Sequence, residues 1–522
     1  MNKTILAYWF FLAMLLPFVC FSQDREDADP LPHLIRGPYL QVASSNSIMI
    51  RWRTDGSARS RVRFGDEAGR LDHTVDDSAL VTEHKVTLRG LHPDTKYYYC
   101  IGGLTDTLQG DGSDYFHTLP VAGTAGHYRI GVFGDCGNNS VNQKESRDRF
   151  LKYLGGNYLN AWILLGDNAY GHGADAEFQA KFFNIYKDNL LKEYPLFPSP
   201  GNHDYNDREA SSEVAQNTHE IAYYQNFSMP FLGEAGGTPS GTPAFYSYDI
   251  GNIHFLSLDS YGREENQYRL YDTTGPQVQW VKKDLEANKN KGWVIAYWHH
   301  PPYTMGSHNS DEVEELIKIR ENFIRILERE GVDLVLCGHS HDYERSRLMM
   351  GHYGMEASFR PAEHNVSNSS GLYDGSENSS PYIKDSLHNK GTVYIVTGSA
   401  GQLGGKQRRY PHNAMYFSDA DHGGASMIEV TNNRLDWKWI CADGVIRDHF
   451  TMMKNVNQHS VIHIQKGVSL ALTASFVGEY HWNKSQETGA SLTVSPTAGI
   501  TIYTVSDEFG NLKDSFEVVV TK

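Results

Sequence analysis

Five short blocks run in order through the middle of the chain: Gly134-Asp135-Cys136-Gly137, Gly166-Asp167-Asn168-Ala169-Tyr170, Gly201-Asn202-His203-Asp204, His299-His300-Pro301-Pro302-Tyr303 and Gly338-His339-Ser340-His341. Together they supply carboxylate, phenol, amide and imidazole donors. Oxygen donors suit hard ions and imidazole suits borderline ones, so the mixture fits a pair of transition-metal ions. A carboxylate can give one oxygen to each of two ions, and Asp167, in the middle of the set, is the natural bridge. Paired ions roughly 3.5 to 4 Å apart generate hydroxide at neutral pH and neutralise charge on both the attacking and the leaving oxygen. That is the chemistry of phosphoester hydrolysis.

Most of these blocks stand where an apolar, strand-like run stops, so one sheet edge could present them all. The pattern predicts strands at 128–133, 161–165, 255–258, 293–298, 332–337 and 393–397, with helices at 143–154, 177–191, 277–287 and 311–330. Alternating strands and helices predict a central α/β layered domain over 127–454, closed by strands at 427–430 and 435–441. Before it, 30–120 carries short alternating strands such as Ile48, Ile50 and Trp52, which predict a β-sandwich. After it, 455–522 repeats that rhythm and predicts a second small, Ig-like sandwich. The stretch 351–390 is rich in Gly, Ser and Asn and directly follows the fifth block, so it reads as a surface insertion that could overhang the site.

The chain has 522 residues, enough for about three domains. Its net charge of -16 argues against general affinity for nucleic acid, so phosphate must be attracted by local positive charge such as metal ions. Lys3, the apolar run 5–21 and Ser22 form a secretory signal peptide pattern over 1–22. A retained anchor and a lipidated Cys20 are the competing readings; cleavage would leave no stable membrane span and a secreted, periplasmic or cell-surface protein. Four cysteines then remain, Cys100, Cys136, Cys337 and Cys441, too widely spaced for a zinc knuckle but able to form one disulfide.

Gly338-His339-Ser340-His341-Asp342-Tyr343-Glu344-Arg345 and the other blocks resemble the purple acid phosphatase branch of the calcineurin-like metallophosphoesterases. The resemblance covers roughly 38–450 and implies that the first sandwich is fibronectin III-like and that the central α/β domain has four layers, two sheets flanked by helices. It implies an Fe(III) held by Asp135, Asp167, Tyr170 and His341, and a divalent Fe, Zn or Mn held by Asp167, Asn202, His299 and His339. The family pattern of histidine, any residue, proline picks His299 over His300, which becomes a supporting residue. Tyr170 is the branch mark, since a phenolate there stabilises a ferric ion. Metal-bound hydroxide would attack phosphorus. The departing alkoxide needs a proton, for which histidine is suited near neutral pH. His203 and His308 match family histidines that contact substrate, beside Asn202. Asp204 and Glu344 could orient neighbouring histidines, and Cys136 has no expected catalytic part. The terminal module resembles Ig-like or PKD-like domains appended to secreted bacterial proteins.

The expected activity is therefore acid phosphatase hydrolysis of small-molecule phosphate monoesters. A phosphodiesterase or nucleotide-cleaving enzyme on the same core is the nearest alternative. A non-catalytic surface binding protein is the alternative from another class. The blocks leave the alcohol side of the substrate and the oligomeric state open.

Overall fold

The computed structural model describes residues 32–385 and 389–521; the expected signal peptide lies outside the described residues. In the first module, six strands join into one hydrogen-bonded network built on the long strand Ser47–Gly65. Its first part pairs with Leu34–Gln41 and its last part with Lys96–Gly102, while His73–Arg89 runs along most of its length. Trp52, Ile50, Tyr99 and Phe116 are buried at its centre.

The central module holds two seven-stranded sheets. One runs Tyr382–Lys384, Ile446–Lys454, Arg434–Cys441, Gly424–Thr431, His127–Phe133, Ala161–Leu165 and Leu196–Ser199. The other runs Tyr246–Ile250, Ile253–Ser257, Trp293–Trp298, Leu334–Cys337, Val393–Thr397, Tyr343–Ser346 and Met415–Asp419. Strands covered on both faces read as unbroken apolar runs, which is why Ala-Trp-Ile-Leu-Leu at 161–165 is buried at every position. Three neighbours are parallel in the first sheet (127–133, 161–165, 196–199) and four in the second (253–257, 293–298, 334–337, 393–397). The sheets meet face to face: Phe197 stacks on Tyr248 with ring centroids 3.8 Å apart, and Tyr343 stacks on Trp439 at 4.3 Å.

Helices cover the outer faces. Val141–Leu154 is capped by Ser140, whose side chain accepts from the Gln143 amide, and packs Phe150 and Leu154 against Phe133 and Trp162. Pro276–Asn288 packs Val278, Val281 and Leu285 on the second sheet. The helices expected over 177–191 and 311–330 are each interrupted. The first is broken into Asp175–Phe178, a π-helical turn Gln179–Phe183, Asn184–Tyr186 and a separate turn Leu190–Glu193. The second begins only at Glu314 and carries a π-helical turn at Ile319–Phe323.

The insertion 351–390 also differs from the expected surface loop. Tyr382–Lys384 adds an edge strand parallel to Ile446–Lys454, and Ser369, Ser370, Tyr373 and Tyr382 are buried. Arg345 donates to the Ser370 carbonyl and the Tyr382 hydroxyl, so the segment braces the sheet from behind rather than overhanging the five blocks. All four described cysteines are buried and free, so the disulfide that the sequence allowed does not form.

The last module consists of a four-stranded sheet (His459–Gln465, Lys513–Thr521, Gly499–Ser506, His481–Trp482) and the pair Leu470–Thr473 with Ser491–Val494. Leu472, Trp482, Val505 and Val518 are buried between them. It touches the central module through Tyr373, whose hydroxyl donates to Asp507 at 3.0 Å, and Asn433, which donates to the Ser475 carbonyl. The first module docks through Arg36 and Arg53, both paired with Asp175; burial would raise that carboxyl, but the two guanidiniums outweigh it and hold it at about 2.

Candidate metal centre

The carboxyl ends of the parallel strands from both sheets meet at one edge. Asp135, Asp167 and Asn202 follow three strands of the first sheet, and His299 and His339 follow two strands of the second. Asp135, Asp167 and His339 adopt left-handed backbone conformations with φ of 55°, 51° and 67°. Such conformations cost energy in non-glycine residues and cluster at functional sites. Gly166 sits at φ 90°, and a Cβ there would strike the His299 ring; one at Gly201 would overlap the Asp167 carboxylate. These two glycines let the turns close on the centre.

The donor atoms fall into two groups. In the first, the Tyr170 hydroxyl lies 3.0 Å from Asp135 Oδ1 and 2.9 Å from His341 Nε2, and His341 Nε2 lies 3.5 Å from Asp135 Oδ1. In the second, Asn202 Oδ1 lies 2.9 Å from His299 Nε2 and 3.2 Å from His339 Nδ1, and those two nitrogens are 3.2 Å apart. Asp167 stands between them, its Oδ1 3.3 Å from His299 Nε2, and Asp135, Asp167 and His299 offer atoms within 4.8 Å of one another.

The electrostatics of these donors suit a cation. Burial would lower His299, but Asp167 and Asp135 outweigh it and hold it up at about 9. Burial, with the neighbouring histidines, pushes His339 well below its usual range. Two ring nitrogens and an amide oxygen thus converge on one point, where a metal ion would satisfy all three. Burial and then Asp135 and Asp167 push Tyr170 far above the normal phenol range, so only a strongly Lewis-acidic ion could take its proton's place. His299 Nδ1 faces the Leu165 carbonyl at 2.8 Å, and donation there leaves Nε2 free to ligate.

His203 and His308 stand at the mouth. His203 Nδ1 is 3.0 Å from the Gly171 carbonyl, while its Nε2 points inward, 3.8 Å from Asp167 Oδ2. His308 stacks on His339 with centroids 3.9 Å apart and meets Ser307 Oγ at 3.1 Å. Burial, then His341 and His299, lower its pKa. His300 turns its Nδ1 to Ser260 Oγ at 2.8 Å and stacks on Tyr261, yet its ring also belongs to a buried group with His299 and His339.

Some supporting roles differ from the sequence reading. Asp204 holds the Gly201 and Asn168 amides rather than a histidine; burial, with Asp167, pushes it up to about 7. Glu344 accepts from the Met305 amide, and Cys136 is a buried thiol pushed up to about 12 by burial. None of the described residues of 351–390 lines the cleft.

Two acids escaped sequence reasoning. Asp207 accepts from Asn202 Nδ2 at 2.7 Å, which turns the amide oxygen toward the histidines, and its other oxygen lies 3.2 Å from His203 Nδ1. Glu177 accepts from the Gly171, His172 and Ala174 amides and pairs with Lys181, which itself donates to the Tyr170 carbonyl. Their only sequence signal is closeness to Asn202 and Tyr170.

Residues 128–343 match the calcineurin-like phosphoesterase family, and residues 35–117 match the purple acid phosphatase N-terminal domain. The chain is a metallophosphoesterase. Mouse acid phosphatase type 7 is 27% identical over 429 residues, covering 75% of this chain and 83% of its own. Purple acid phosphatase 15 of Arabidopsis thaliana is 28% identical over 331 residues, 56% of this chain and 57% of its own. The solved purple acid phosphatase PPD1 from yellow lupin seeds shares the fold with a TM-score of 0.58, at 16% identity over 81% of this metallophosphoesterase and 74% of that chain. Its relatives are thus acid phosphatases, and that activity fits the metallophosphoesterase centre.

Proposed function

We propose that this acid phosphatase hydrolyses phosphate monoesters at a binuclear Fe(III)–M(II) centre, with M a divalent Fe, Zn or Mn. The observation that carries the reading is the sorting of seven donor side chains into two groups that share Asp167. Asp135, Asp167, Tyr170 and His341 would hold the ferric ion, and Asp167, Asn202, His299 and His339 the divalent one. When bound, such a pair supplies an activated water and neutralises charge on the phosphoryl oxygens.

The chain's own groups do the rest. Tyr170 as phenolate would match the higher charge of the ferric ion. Asn202, His203 and His308 would receive the phosphoryl group, and the inward Nε2 of His203 is placed to protonate the leaving oxygen. The Gly171 carbonyl and the Asp207 carboxylate both face His203 Nδ1, which fixes the ring with its Nε2 inward. His308 closes the opposite side as a second donor.

The first module would be fibronectin III-like and the last Ig-like or PKD-like, with the whole chain secreted, in the manner of bacterial proteins that carry such a terminal module. No described helix is long and apolar enough to cross a membrane.

The deciding experiment is metal analysis with a visible spectrum. Oxidised, metal-loaded protein should show a tyrosinate-to-Fe(III) band that Tyr170→Phe abolishes; no band in the parent protein would refute the ferric assignment, and an unchanged band in the variant would refute Tyr170 as the ligand. Faster hydrolysis of a bis-aryl diester than of the aryl monoester would overturn the monoesterase reading.

A further inference from the structure

The cleft in front of the centre has a volume of about 560 Å³, far more than one phosphoryl group fills, so its walls must also receive the alcohol. Most of its charged side chains are already matched. Asp207 is bonded to Asn202, and Asp167 accepts from the His203 amide and faces His299. Two are not. Arg208 is exposed and Glu315 is partly exposed, and neither side chain has a hydrogen bond or ion pair among the described residues. Among the described residues, Arg208 is the one permanently cationic side chain lining the cleft.

Their anchorage places these charges with respect to the reaction. Arg208 follows Asp207 in a tight turn whose amide at 207 donates back to the Asn202 carbonyl, and it lines the cleft together with His203. Glu315 lies in the first turn of the helix that starts at Glu314, and the Val313 amide donates to the Asn309 carbonyl, next to His308. One unmatched charge of each sign thus lines the same cleft as the two proton-donor candidates. In hydrolysis, water adds to phosphorus, the bond from phosphorus to the alcohol oxygen breaks, and that oxygen takes a proton from one of these histidines. The departing alcohol therefore leaves through the cleft that both charges line. A guanidinium presents a planar fork that fits a carboxylate, and a carboxylate fits an ammonium.

We propose that the natural substrate is a phosphomonoester of a zwitterionic alcohol, of the O-phospho-amino-acid class, with its carboxylate on Arg208 and its ammonium on Glu315. This rests on the monoesterase reading above. A neutral sugar or a second phosphate would leave Glu315 unmatched or repelled.

The test uses the metal-loaded full chain and four alkyl monoesters with similar leaving groups: O-phosphoserine, 3-phosphoglycerate, phosphoethanolamine and glycerol 1-phosphate. O-phosphoserine should have the highest kcat/KM. Arg208→Ala should lower kcat/KM about tenfold for the two carboxylate-bearing esters relative to the other two, as expected for loss of one charged hydrogen-bonded pair. Glu315→Gln should do the same for the two ammonium-bearing esters. Both losses should fall on KM and shrink in high salt, because an exposed pair is screened. A flat ranking of the four esters, or variants that slow all four by one factor, would overturn the assignment. An aryl phosphate run alongside separates the two readings: if it is hydrolysed while the four-ester ranking is flat, only the zwitterion assignment falls. If no monoester is hydrolysed, the monoesterase reading falls and takes this one with it.

Discussion

Replacing Asp207 by alanine tests whether the centre depends on a residue that touches no metal. Its Oδ2 accepts from Asn202 Nδ2 at 2.7 Å, and its Oδ1 lies 3.2 Å from His203 Nδ1. Without it, the Asn202 amide is free to turn its NH2 toward His299 and His339, which would remove its oxygen from the ligand set of the divalent ion. A hydrogen bond to an ionised carboxylate is worth about 1.5–3 kcal/mol. Asp207 has a side chain 23% exposed, so the lower part of that range applies. About 1.5–2 kcal/mol corresponds to roughly tenfold to thirtyfold in an equilibrium constant. The affinity for the divalent ion, read by competitive chelator titration, should fall by that factor. Activity on an aryl phosphate should recover only in part at saturating metal, since His203 has also lost its nearby negative charge. Asp207→Asn, which keeps one acceptor oxygen, should lose less. Metal affinity and kcat/KM both within twofold of the parent in the alanine variant would refute the reasoning.

The fold should weaken in acid. His84 is buried against Trp52 and hydrogen-bonded to Thr54 and Ser60, and burial lowers its pKa from 6.5 to about 4. Above pH 6.5 the ring is neutral in both states and has no effect; as pH falls from 6.5 to 4 the unfolded chain gains the proton first, so stability drops by on the order of 3 kcal/mol. Urea unfolding of the parent and His84→Gln at pH 7 and pH 4.5 should show a shallower loss in the variant; parallel losses would refute this source. Cys100, Cys136, Cys337 and Cys441 are buried thiols and should react with a thiol reagent only after unfolding, with Tm unchanged by reductant; a reductant-dependent fall in Tm would reveal a crosslink.

How far the sequence speaks depends on what each residue must do. Asp135, Asp167, Asn202, His299 and His339 stand out because each follows the buried end of a strand, and a polar residue at that point has few structural reasons to be there. Asp207 and Glu177 stand in polar loops where an acid is ordinary, and only the folded turn shows that they aim Asn202 and tie down the loop of Tyr170. The strand Tyr382–Lys384 was hidden for the opposite reason. Three residues in a Gly-, Ser- and Asn-rich stretch carry no period, and the strand exists because Ile446–Lys454 offers it an edge. The two π-helical turns were masked too, since an extra residue in a turn leaves the apolar spacing nearly intact.

The centre's internal charge balance connects these points to function. Asp135 and Asp167 are buried with the Tyr170 phenol, and no lysine or arginine side chain is hydrogen-bonded or ion-paired to any of the three among the described residues. The Asp135 carboxylate leans on the His339 amide and His341, and that of Asp167 on the His203 amide and His299. Buried carboxylates with so little compensation are costly, and three of the turns that hold the donors sit at unfavourable backbone angles. A protein selected for stability alone would place an arginine there, as this chain does for Asp448, which receives two nitrogens of the buried Arg345 at 2.6 and 2.8 Å. Leaving the site short of positive charge reserves it for metal ions. With the proposed trivalent and divalent ions, two carboxylates, one phenolate and one hydroxide would leave a net cation. A chain with a net charge of -16 could then still attract a phosphate dianion.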